Sequence, residues 1–101
     1  MDHPAETMTT LLHRLASRYI WWKSPEDALL YPDRLIAQVM DIGDFDDMEE
    51  LARLAGDERL RTVLANAQAG QFRPRSWHYW HHRLGLTTSG GVPPMPGRKL
   101  G

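Results

Sequence analysis

The chain predicts an all-α fold: a single compact domain of about five short helices, residues 1–86, followed by a flexible Pro/Gly-rich tail, residues 87–101. Apolar residues recur at i, i+3, i+4 and i+7, and no segment alternates apolar with polar residues for more than a few positions. Helix punctuation is frequent, with Ser, Thr or Asp ahead of apolar stripes, Pro at first turns and Gly after last ones. Hairpin signals such as Asn-Gly or Asp-Gly do not occur. A chain of 101 residues with 42% apolar content has one core and little stability to spare.

The first helix runs from Thr7 to Arg18, with Met8, Leu11, Leu12 and Leu15 on one face, and Tyr19-Ile20-Trp21-Trp22 follows as a bulky plug. Ser24-Pro25-Glu26-Asp27 reads as a capped start: a hydroxyl, Pro at the first helical position, then acids in the first turn. Pro32 ends that short turn and opens a second helix striped by Leu35, Ile36, Val39 and Met40, with Gly43 as its stop. Asp44 caps a third helix (Phe45, Met48, Leu51, Ala52, Ala55) that ends at Gly56. Asp57 caps a fourth (Leu60, Val63, Leu64, Ala67). After the break at Ala69-Gly70-Gln71, Pro74 starts a fifth that reaches about Leu84 and is closed by Gly85. From Thr87 onward Gly90, Gly91, Pro93, Pro94, Pro96 and Gly97 leave too little apolar surface for a packed element, which predicts mobility.

The near-neutral formal charge of −1 conceals a division. All thirteen carboxylates lie at or before Glu58, whereas Arg59, Arg61, Arg73, Arg75, Arg83, Arg98 and Lys99 follow it with no acid among them. A field of that shape steers association with a charged partner. Zero cysteines exclude disulfides and thiolate chemistry. No apolar run approaches the ~20 residues of a membrane span, and Met1 to Glu6 lacks the basic start of a signal peptide. These features predict a cytoplasmic protein with no membrane association.

The chemistry-bearing residues each admit a structural and a functional reading. At least three of Trp21, Trp22, Trp77 and Trp80 are expected in the core. Trp77, Trp80 and Leu84 share a stripe that would dock on the Tyr19–Trp22 plug, while base stacking would need rings in solvent. His78, His81 and His82 pair across adjacent turns, but no cysteine, HExxH or nearby acid completes a metal set. They are expected as partly exposed imidazoles that gain charge toward pH 6. The acidic run Asp41, Asp44, Asp46, Asp47, Glu49 and Glu50 alternates with Phe45, Met48 and Leu51, so it is expected to cap a helix and face water. No nucleophile-and-base set, phosphate loop or GxSxG elbow appears. The sequence therefore assigns no catalytic residue, metal or cofactor. Its candidate partner-binding residues are Arg73, Arg75, His78, His82 and Arg83, facing an acidic protein surface or, alternatively, phosphates.

The order of landmarks between Arg18 and Leu86 resembles a known group. Tyr19-Ile20-Trp21-Trp22, Pro32-Asp33-Arg34-Leu35-Ile36-Ala37-Gln38-Val39-Met40, Gly43-Asp44, Pro74-Arg75-Ser76-Trp77, Tyr79-Trp80 and Leu84-Gly85-Leu86 are similar to those of small bacterial proteins encoded beside nucleotidyltransferase-like abortive-infection toxins. Where members of that group commonly carry an acid after the aromatic plug, this chain has Lys23 and Ser24. The resemblance implies a compact, non-enzymatic helical interaction protein, an antitoxin-like partner of such a toxin. The alternative expectation is a small nucleic-acid-binding protein that uses the basic C-terminal helix.

Overall fold

The computed structural model describes residues 7–97 as a helical domain. Its elements are α1 (Met8–Tyr19), α2 (Pro25–Ala28), α3 (Pro32–Ile42), α4 (Phe45–Ala55), α5 (Asp57–Ala65) and α6 (Pro74–Arg83). The sixth helix beyond the expected five is α2, the single turn that the Ser24-Pro25 cap nucleates. The caps follow the sequence closely. Thr7 accepts from the Thr10 amide at 3.1 Å, Ser24 from Asp27 at 3.2 Å and Asp44 from Asp47 at 2.9 Å. Gly56, at φ +82°, both ends α4 and serves as N-cap of α5, the position expected for Asp57, which is instead the first helical residue. Gly85, at φ +70°, closes α6 with the Leu86 amide bonded back to the His81 carbonyl at 2.8 Å, a Schellman ending.

Helix α3 is the centre of the domain, packing against α1, α4, α5 and α6. Its Leu35, Ile36, Ala37, Val39 and Met40 are buried, as are Leu11 and Leu15 from α1, Leu51 from α4, Leu60 from α5 and Trp80 from α6. Gly43 has an ordinary extended backbone (φ −64°, ψ 151°), so its smallness serves another purpose than a left-handed turn. A Cβ there would collide with the Val39 carbonyl oxygen and lie 2.9 Å from Val39 Cγ1. The chain turns so sharply that the Asp44 amide, which would bond Met40 in a continuing helix, donates to the Tyr19 hydroxyl at 3.1 Å. The freed Met40 carbonyl accepts from Trp80 Nε1 at 2.7 Å. Aromatic side chains of α1 and α6 thus satisfy the two backbone groups released at the α3–α4 corner.

Two expectations about the aromatics need correction. Trp77 and Trp80 are buried, but Trp21 and Trp22 are 77% and 56% exposed. The reason is local: α1 ends at Tyr19, its cap Ile20 departs from helical geometry, and the turn that follows carries both indoles off the buried stripe. Tyr19 and Ile20 supply the buried part of the plug. Accordingly α6 docks principally on α3 rather than on the end of α1.

The described part of the expected tail makes specific contacts. Trp77 Nε1 donates to the Pro93 carbonyl at 2.7 Å, Thr88 and Gly91 bond each other across a turn, and Val92 packs on the core. Arg98 and Lys99, and the Met1–Glu6 segment read for targeting, lie outside the described residues. No helix among the described residues is long and apolar enough to cross a membrane.

Candidate interaction surfaces

Helix α6 carries the candidate residues, and its start depends on α3. Arg73, its N-cap, offers no side-chain cap. The Asp41 carboxylate takes that role from outside the helix, accepting from the Arg73 amide at 3.0 Å and from Ser76 Oγ. A carboxylate here also meets the positive end of the helix dipole. Arg73 folds back onto the same residue, with Nε 3.4 Å from Asp41 Oδ1 and an η nitrogen 2.9 Å from its carbonyl. Arg83 is gripped more firmly. Its guanidinium donates to both Glu49 oxygens at 2.9 and 2.6 Å and to the Tyr79 hydroxyl oxygen at 3.0 Å, and lies 5.0 Å from the Trp80 ring centre. The hydrogen bonds from Arg83 hold the Glu49 carboxyl below its ordinary range against the opposing effect of burial, and Glu49 in turn raises Arg83.

The five candidates therefore divide. Arg73 and Arg83 serve the fold, each answering an acid of the first half of the chain, as does Arg59 with Asp33 at 2.8 Å. Arg75, His78 and His82 are exposed at i, i+3 and i+7, one outward stripe of α6. His81, expected beside them in solvent, is buried instead (4% exposed). It lies at i+4 from Trp77 and i−3 from Leu84, on the packed face. Its Nδ1 bonds the Trp77 carbonyl at 2.7 Å and its ring sits 4.2 Å from the Trp77 ring. No group of three or more His, Asp or Glu suited to a metal ion occurs among the described residues.

Beside the outward stripe runs a groove of about 580 Å³, floored by Met40 and Met48 and walled by Arg73, Arg75 and Tyr79. Exposed Ile42 ends α3, whose Met40 and Asp41 line the groove, and exposed Phe45 opens α4, whose Met48 lines it. Thioether-lined apolar surface adapts readily to different side chains.

The acidic run also departs from expectation at one residue. Asp47 is buried (5% exposed), accepting from the Tyr19 hydroxyl at 2.6 Å with Arg14 and Arg18 each 3.4 Å away. Burial first, and then the bond to Asp47, raises the Tyr19 hydroxyl above its ordinary value. With Arg14–Glu50 and Arg18–Asp44 at 2.6 and 2.7 Å, this set joins α1 to α4.

A second surface, missed in the sequence, lies toward the opposite end of α3. Trp21, Trp22, Leu30 and Tyr31 are all more than half exposed. Trp21 meets Trp22 edge to face at 5.6 Å. Lys23 and Arg34 both lie over the Tyr31 ring, 5.8 and 5.0 Å from its centre. The adjacent Trp-Trp and Tyr-Pro pairs carried that signal, but a helix continued past Tyr19 would have turned one indole inward. Comparison of the chain with family models, curated proteins and solved structures gives no match.

Proposed function

We propose that the protein is a non-enzymatic helical interaction module whose groove between the end of α3, the start of α4 and α6 receives an acidic, apolar-tipped segment of a partner protein. The observation that carries this reading is the pairing of an adaptable apolar groove with a cationic rim. Phe45 is 67% exposed at the start of α4, Met40 and Met48 line the floor, and Arg75 has no carboxylate partner among the described residues. Arg75, with His78 and His82 on the same exposed stripe, gives the partner's acids a hydrogen-bonding counter-surface. The landmark resemblance names a nucleotidyltransferase-like toxin as the first partner class to test. The retention of Arg73 and Arg83 by Asp41 and Glu49 weighs against α6 as a phosphate-binding helix, because two of its three arginines are already neutralised.

The test is calorimetric titration of the purified protein into a purified nucleotidyltransferase-like enzyme. Phe45→Ser and Arg75→Glu, both at exposed positions, should each weaken binding at least ~10-fold while leaving the helical circular-dichroism spectrum unchanged. Wild-type affinity in both variants removes the groove from the interface.

A further inference from the structure

We infer that the cleft below Trp22 is a binding site for a nucleotide unit, a planar base carrying phosphate, at a place distinct from the α6 groove. The cleft has a volume of about 320 Å³ and lies between the α1–α2 turn, the first half of α3 and the α5–α6 connection. That volume is at the lower end of the range for small-molecule sites, ~300–1,000 Å³. Its lining is selective. Lys23 and Arg34 contribute two cations, Gln38, Gln68 and Gln71 contribute amides, and no carboxylate is present.

The two cations are the decisive feature. Both approach one aromatic ring, Tyr31, at 5.8 and 5.0 Å from its centre, and both line the cleft. Neither has a carboxylate partner among the described residues. Of the acids in the neighbouring sequence, Glu26 faces His13 at 3.8 Å and Asp33 is held by Arg59. Among the other arginines, Arg14, Arg18, Arg53, Arg59, Arg73 and Arg83 each face an acid and Arg61 bonds the Leu84 carbonyl, whereas Arg75, in the α6 groove, has no carboxylate partner among the described residues. Two cations lining one cleft with no acid in its lining match an external anion, and phosphate oxygens suit both a guanidinium and an ammonium.

Trp22 specifies what the anion is attached to. Because the cations occupy Tyr31, Trp22 supplies the free π-face, propped edge-on by Trp21 and exposed beside the cleft. A base stacked on an indole gains ~1–3 kcal/mol, and side-chain amides offer both donors and acceptors to base edges. The Gln71 carbonyl oxygen already accepts from the Gln68 amide at 2.9 Å, which orients its NH₂ as the remaining donor.

Intrinsic tryptophan fluorescence follows the site directly, since Trp22 lines it. Adenosine monophosphate, a uridine decanucleotide, inorganic pyrophosphate and an acidic decapeptide are titrated into the full chain. We expect saturable quenching by the mononucleotide or by the decanucleotide. Comparable affinity of the two marks a free nucleotide as the natural ligand, and much tighter decanucleotide binding marks a single strand. Lys23→Ala and Arg34→Gln should each weaken binding at least ~10-fold, whereas Arg75→Ala, in the α6 groove, should leave it unchanged. The assignment is overturned by absence of saturable quenching with both nucleotides, by wild-type affinity in both cation variants, or by pyrophosphate or the decapeptide binding as tightly as the nucleotides. Loss of partner binding in Phe45→Ser leaves this readout untouched, so the two proposals fail separately.

Discussion

At the scale of single residues, identical side chains have opposite fates because of where a helix ends. Trp80 is fully buried and its Nε1 serves the Met40 carbonyl, while Trp21, two residues beyond the end of α1, is mostly in water. Trp80→Ala should lose ~3–5 kcal/mol from the cavity alone, read as a lowered urea midpoint. Trp80→Phe keeps most of the volume but orphans the carbonyl, and should cost a smaller ~1–3 kcal/mol. Asp47→Ala strips a buried acceptor from the Tyr19 hydroxyl and leaves Arg14 and Arg18 facing the gap; a loss of ~1–3 kcal/mol is expected in the same measurement. The burial of Trp77 and Trp80 was legible because spacing on one helix reports a face. The burial of Asp47 was not: its partner Tyr19 is 28 residues away, and an acid in a first turn looks the same whether it faces water or a tyrosine. His81 was legible in principle, since it lies between Trp77 and Leu84 on the same stripe.

Among the elements, starts and stops written in adjacent residues were readable, and those supplied from a distance were not. Ser24, Asp44 and Gly85 act where their sequence places them, while Thr7, expected as the first helical residue, is the cap of α1. The start of α6 has no local cap, and Asp41 comes to it from the last turn of α3. Asp41→Ala should therefore fray α6 at its beginning, cost ~1 kcal/mol, and lower protection of the Arg73 amide in hydrogen exchange. Gly43 marks the same limit. The sequence identified it as a stop, but only the packed backbone shows that Val39, rather than a left-handed turn, excludes a side chain. The cleft below Trp22 was illegible for a similar reason, since its lining comes from two connections and one helix that only the fold brings together.

For the molecule as a whole, the separation of acids and bases along the chain becomes attachment between its parts. Asp33–Arg59, Asp41–Arg73 and Glu49–Arg83 each cross from the acidic half to the basic one, so the steering dipole inferred from sequence is substantially consumed in assembly. This gives stability a definite pH dependence. Glu49 has a lowered folded-state value, so the unfolded chain takes up its proton first as acid is added. Its stabilisation is complete above the ordinary glutamate value of 4.5 and is lost as pH falls through the folded-state value. Thermal melts of wild type and Glu49→Gln should consequently differ at pH 7 and converge as pH falls below 4.5 and through the lowered folded-state value. Tyr19 has the opposite sign: its value is raised, so its contribution is complete below the ordinary tyrosine value of 10.0 and declines as pH rises through the folded-state value.

The corner at Gly43 ties these levels into one cooperative event. Because the Asp44 amide is sheltered by a hydroxyl from α1 and the Met40 carbonyl by an indole from α6, the middle of the chain cannot be sealed while either outer helix is adrift. The deuterium uptake of that one amide is thus a clock for undocking of the first helix, and it should quicken in Tyr19→Phe even where the circular-dichroism spectrum stays the same.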